Sequence, residues 1–232
     1  MNPEQKLIIK SFIPPLFFVA FIWLVKIIEI TVPVNLDKYG VFPRDLAGLT
    51  GIIATPLIHA DFEHLISNSI PLLILGAGLV YFYKEIALKV FLLIYFLSGF
   101  WLWLIGRESY HIGASGVVYG LITFLFFSGI FRKHTGLMAL SLVVVFLYGG
   151  LVWGIFPLFK QMSWEGHLCG SIAGILLAFV YRKEGPQKKV YEWELEEEEE
   201  ESKKEIEFKS DIAEEKTNIN YVYKKDDDES KP

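Results

Sequence analysis

The chain has 232 residues, 53% of them hydrophobic and 16% aromatic, with a formal net charge of −5 and a single cysteine, Cys169. One cysteine excludes an intrachain disulfide framework and a cysteine-rich metal centre, and reads as small apolar filler in a helix. The apolar residues come in runs long enough to cross a bilayer, which takes about 20 residues of helix, so an ordinary soluble domain built on amphipathic stripes is excluded too.

Residues 1–12 are a short N-terminal segment carrying Lys6 and Lys10. The apolar run beginning at Ile13 is long and lacks the small-residue cleavage site of a signal peptide. It predicts a first transmembrane helix over roughly 13–32, entered through Pro14 and Pro15. Lys26 and Glu29, three apart near its far end, can meet on one helix face, so mutual pairing or snorkelling is the default reading. Residues 33–63 form a long polar connection with Pro33, Pro43 and Pro56, and loops of this length have a job or pack as structures of their own. Further apolar segments follow at about 64–83, 87–106, 115–131, 136–156 and 167–181. The predicted fold is therefore all-α, a six-helix polytopic membrane domain over 13–181.

Charge divides the chain. Residues 1–181 carry eleven Lys/Arg and nine Asp/Glu, whereas residues 182–232 carry eleven basic and eighteen acidic side chains. The second stretch includes the acidic runs Glu196–Glu201 and Asp226–Glu229 and has almost no apolar periodicity, which predicts a disordered, solvated tail. Ten basic residues at the N-terminus, in the second–third and fourth–fifth turns and after the last span lie on one side, against four on the other. By the positive-inside rule both termini are expected in the cytoplasm, and the lack of an Arg-rich transit peptide favours a bacterial-type cell membrane. Helices 2, 4 and 6 then all begin at the outer surface.

Three clusters of polar residues sit at those beginnings. In His111-Ile-Gly-Ala-Ser-Gly-Val-Val-Tyr-Gly120, Gly113, Gly116 and Gly120 bracket Ser115. Small residues there suit close helix packing, and a hydroxyl there suits a nucleophile if a base and an oxyanion site lie within reach. Helix 4 is a little short for a hydrocarbon core of about 30 Å, which sinks Ser115 to the floor of a cavity open to the outside. Helix 6 opens with Glu165-Gly-His-Leu-Cys-Gly170, and Gly166, Gly170 and Gly174 repeat every four residues along one face. His167 stands on the edge of that stripe; it is either a histidine satisfied by a backbone carbonyl or a general base, and its position level with Ser115 favours the base. At the start of helix 2, His64 and Asn68 are four apart and offer N–H donors to a common point, alongside the backbone N–H of Ser115. His59 reads as a loop-fixing group and His111 as a loop support. Glu165, two residues from His167, faces away on a helix, which leaves a Ser–His dyad. A metal site from His59, Asp61, Glu63 and His64 lacks helical ligand spacing.

Together, His59, His64 and Asn68, then Gly113-Ala114-Ser115-Gly116 with Tyr119, then His167 with Gly170 and Gly174, resemble the rhomboid intramembrane serine proteases over roughly residues 10–181. The resemblance implies Ser115 as nucleophile, His167 as base, and His64, Asn68 and the Ser115 N–H as the oxyanion hole. It also implies that Tyr119 packs on the His167 ring and that Gly113 permits close approach before the nucleophile. The Trp–Arg pair of the family's first loop is missing from residues 33–58, and the glutamate many members carry after helix 2 is replaced near Tyr81. The implied substrates are transmembrane segments of other proteins within the lipid bilayer, with no cofactor, metal or nucleic acid. The rival from another class is a non-catalytic rhomboid-like protein that binds client helices. A small transporter would need inverted repeats, which the sequence lacks.

Overall fold

The first apolar run is helical from Pro3, ten residues before the expected entry. Asn2 and Gln5 cap it reciprocally: the Gln5 N–H donates to Asn2 Oδ1 at 2.8 Å and the Asn2 N–H to Gln5 Oε1 at 3.1 Å. That capping box starts the helix upstream of its apolar part, so Pro14 and Pro15 lie inside α1 (Pro3–Thr31) rather than at its mouth. The computed structural model describes residues 1–32, 34–147, 153–158, 162–185, 200, 202–204, 206 and 208–209. Among them the further long helices are α2 (Phe62–Phe82), α3 (Ala87–Ile105), α4 (Ser115–Arg132), α5 (Thr135–Leu147) and α6 (Trp164–Val180). The chain is thus an all-helical polytopic membrane bundle. Helices α1 to α4 are each long and apolar enough to cross a membrane. Apolar side chains such as Phe17, 72% exposed, and Leu16, 55% exposed, stay uncovered on α1, as lipid-facing residues do.

The fifth and sixth helices also differ from the sequence reading. Helix α5 is described only to Leu147; residues 148–152 of the expected 136–156 span lie outside the described residues, and Trp153–Ile155 form a 3-10 turn. Helix α6 begins at Trp164 rather than 167, with Ser163 as its N-cap residue. His167 is therefore set at the end of the first helical turn.

Glycine governs how the helices meet. Helices α4 and α6 make the most extensive pairing in the bundle. A Cβ at Gly170 would land on the Gly116 carbonyl oxygen, and one at Gly174 on the Gly120 carbonyl oxygen. The four-residue glycine stripe of α6 thus lies directly against the backbone of α4, the close approach that small residues allow. Gly76 of α2 likewise receives the ring of Pro15 from α1. A buried core of Ile22, Leu65, Leu72, Leu75, Leu121 and Phe124, among others, fills the bundle.

The long connection folds onto the α3–α4 loop rather than standing apart. A two-way backbone pairing of Val41 with His111, at 3.1 and 2.9 Å, is followed by short helical turns over Ala47–Leu57. Thr55 binds the same place, its hydroxyl donating to the His111 carbonyl at 2.9 Å and its carbonyl accepting from the Gly113 N–H at 2.9 Å. Residues Lys189–Pro232 form a separate unit. Most of the acidic tail lies outside the described residues; those described between 200 and 209 are helical, with Glu200 pairing Lys204 at 3.9 Å across one turn.

Candidate active site

Ser115 and His167 open different helices, and the glycine contact between α4 and α6 brings those openings together. The Ser115 hydroxyl lies 2.7 Å from His167 Nε2. The other ring nitrogen, Nδ1, is 2.8 Å from the Gly154 carbonyl. A carbonyl can only accept, so Nδ1 carries the proton and Nε2 presents a lone pair to the Ser115 hydroxyl. Tyr119, one turn after Ser115, stacks flat on the imidazole with ring centroids 4.2 Å apart and an interplanar angle of 9°. The ring is 6% exposed and held on one face and at both nitrogens. This is a serine whose proton has an oriented acceptor.

The side-chain oxyanion candidates come from α2. Asp61 caps that helix, its carboxylate accepting from the His64 N–H at 2.7 Å. The His64 ring lies against Gly113, where the backbone has φ of +107° and a Cβ would come within 2.6 Å of His64 Nε2. Glycine is required there on both counts. Asn68, 4% exposed, donates Nδ2 to the His64 carbonyl at 2.9 Å, which uses one of its two amide hydrogens. His59, 1% exposed, accepts from the Ala114 N–H at Nε2, 3.4 Å away, and meets the His64 ring edge-on at 5.1 Å. Burial, with the nearby His64, pushes the His59 imidazole down to about 3.

The loop carrying Ser115 is also fastened to α6. His111, 2% exposed, has Nδ1 2.6 Å from the Ser163 hydroxyl and Nε2 3.1 Å from the Arg107 carbonyl. The ring therefore donates from Nε2 and accepts the Ser163 proton at Nδ1, and burial holds its affinity for a second proton below the ordinary value. Arg107 donates to the Met162 carbonyl at 2.9 Å and pairs with Glu165 at 3.5 Å. Glu165 is buried against this loop rather than solvated. A cavity lined by Thr55, Ser98, His111, Gly113, Ser115 and Ser163 lies beside the pair.

Sequence reasoning missed Gly154. What it supplies is a backbone carbonyl, which no residue type announces. The nearest signal is the glycine itself, since a Cβ there would meet Tyr119 Oη and come within 3.0 Å of His167 Nδ1.

The sequence model of the Rhomboid domain matches residues 46–184. The uncharacterized protein Rv1337 of Mycobacterium tuberculosis is 39% identical over 179 residues, covering 71% of this chain and 72% of the relative. The uncharacterized protein ML1171 of Mycobacterium leprae is 35% identical over 179 residues, covering 71% and 69%. A protein of Acanthamoeba polyphaga mimivirus named as a putative rhomboid protein, L523, is 36% identical over 77 residues, covering 32% and 39%.

Proposed function

The chain belongs to the rhomboid family, and on that premise we propose that it is an intramembrane serine endopeptidase cutting transmembrane segments of other proteins. The observation that carries the proposal is the 2.7 Å approach of the Ser115 hydroxyl to an unprotonated His167 Nε2. A hydroxyl is a weak nucleophile unless a base takes its proton as it attacks, and the Gly154 carbonyl orients the base in the tautomer this needs.

In the proposed reaction Ser115 Oγ attacks the scissile carbonyl carbon while its proton passes to His167 Nε2. The carbonyl oxygen becomes an oxyanion, which the Ser115 backbone N–H, the His64 ring and the second amide hydrogen of Asn68 would stabilise. The C–N bond then breaks as His167 returns the proton to the leaving amine, leaving an acyl-enzyme on Ser115. Water, deprotonated by His167, hydrolyses that ester and frees the serine. The dyad needs no metal or cofactor for any of these transfers. In the proposed orientation both termini are cytoplasmic and the Ser115 end of the bundle faces the opposite side.

The test is co-expression with a panel of tagged single-span membrane proteins. Fragments that appear with the wild type and vanish with Ser115→Ala are expected. A panel cleaved equally by both forms would remove Ser115 from its role.

A further inference from the structure

Lys26 lies five residues from the end of α1 at Thr31, about 7.5 Å along the axis. A lysine so close to a helix end can extend its stem and place its ammonium in water at little cost. This one turns inward and is only 7% exposed. Burying a charge at a membrane-spanning position is expensive unless every donor is met. Here all three ammonium hydrogens find acceptors: Glu29 Oε2 at 2.8 Å, the His59 carbonyl at 2.8 Å and the Ala60 carbonyl at 2.9 Å. The ion pair with Glu29 could be made within α1 alone. The two carbonyl bonds cannot, because they reach across to the segment that leads into α2.

That segment caps α2 through Asp61 and also reaches the start of α4. Its His59 ring receives the Ala114 N–H, immediately before Ser115, and abuts the His64 ring at 5.1 Å. The His64 ring in turn lies against Gly113. The groups proposed to hold the oxyanion thus come from two separate helices and are registered to each other through His59. Lys26 is what fixes the backbone from which His59 projects.

We propose that Lys26 is a positioning residue for the oxyanion side of the site, clamping the His59 and Ala60 carbonyls so that the His59 ring holds the start of α4 and the His64 imidazole in register. This rests on the proteolytic reading above and adds to it a residue of the first helix. The clamp acts on charge development at the substrate carbonyl, not on substrate docking, so its loss should slow the chemical step without weakening binding.

The test uses the full chain in proteoliposomes and a fluorophosphonate probe, whose phosphoryl oxygen takes the oxyanion's place during attack by Ser115. Inactivation rate constant and probe affinity are measured separately for wild type and Lys26→Met, with thermal unfolding recorded for both. The expected result is a rate constant lowered about tenfold or more, with affinity within about twofold. A wild-type rate constant in folded Lys26→Met overturns the proposal. Should Lys26→Met not fold, Lys26→Arg carries the test. It keeps the charge but its planar fork cannot place three N–H groups on the same acceptors. It is expected to slow labelling in the same way, and wild-type behaviour there overturns the proposal equally. Wild-type protein that shows no Ser115-dependent labelling brings down the protease reading and this inference together, whereas normal wild-type labelling with an unaffected variant brings down only the inference.

Discussion

Gly154→Ala is a one-methyl change that the site should not tolerate. The new Cβ would meet Tyr119 Oη and lie within 3.0 Å of His167 Nδ1. Tyr119 cannot move aside alone, because its ring is stacked on the imidazole at 4.2 Å. If the tyrosine yields, His167 yields with it; if the Trp153–Ile155 turn yields, the 2.8 Å bond from Nδ1 to the Gly154 carbonyl is lost. Both routes free the base from the orientation that faces Nε2 to Ser115. A misplacement of about 1 Å at a reacting group costs on the order of 10²-fold in rate, whereas inserting a methyl into a packed site costs about 1–3 kcal/mol of stability. The expected outcome is turnover of a reconstituted transmembrane substrate reduced about 100-fold, with a folded protein of modestly lower melting temperature. Turnover within twofold of wild type would show that the Gly154 carbonyl does not orient the base.

Further perturbations separate the parts of the account. Asn68→Ala should lower turnover by about 10²-fold or more with little change in KM, as removal of one oxyanion donor does, and an unchanged rate would mean the hole is built from other groups. Gly170→Leu puts a side chain where the Gly116 carbonyl stands and should prevent α4 and α6 from closing, read as loss of both activity and cooperative thermal unfolding. For pH dependence, His59 is neutral in the folded protein down to about 3, against an ordinary value of 6.5. The unfolded chain therefore binds the extra proton first, so stability is fully present above pH 6.5 and falls as pH drops from there toward 3, by on the order of 1 kcal/mol per unit. Thermal unfolding at pH 7.5 and pH 5 measures it, and His59→Gln should reduce that difference without abolishing it, because buried His111 acts in the same direction.

Glycine spacing made the centre of the bundle readable from sequence. The four-residue repeat at Gly166, Gly170 and Gly174 suits close helix contact, and the contact that Gly170 and Gly174 make with α4 is what brings Ser115 to His167. The pairs His64–Asn68 and Lys26–Glu29 were readable too, because helical periodicity puts such neighbours on one face. What stayed hidden depends on groups without a residue signature or on the fold of loops. The carbonyls of Gly154, His59 and Ala60 are backbone, and any residue type could supply them. The Ser163–His111 bond joins residues 52 apart across two loops. The early start of α1 escaped because the apolar pattern drew the boundary to Ile13, while the capping box at Asn2 and Gln5 is polar.

The proposed reaction starts with Ser115 acting as a nucleophile as His167 takes its proton. Reaction of the reconstituted protein with a fluorophosphonate, followed by peptide mapping by mass spectrometry, tests it most directly. A single adduct is expected, on Ser115, and it disappears in His167→Ala while the variant remains folded. An adduct on another residue, or one on Ser115 that forms as fast without His167, would contradict it.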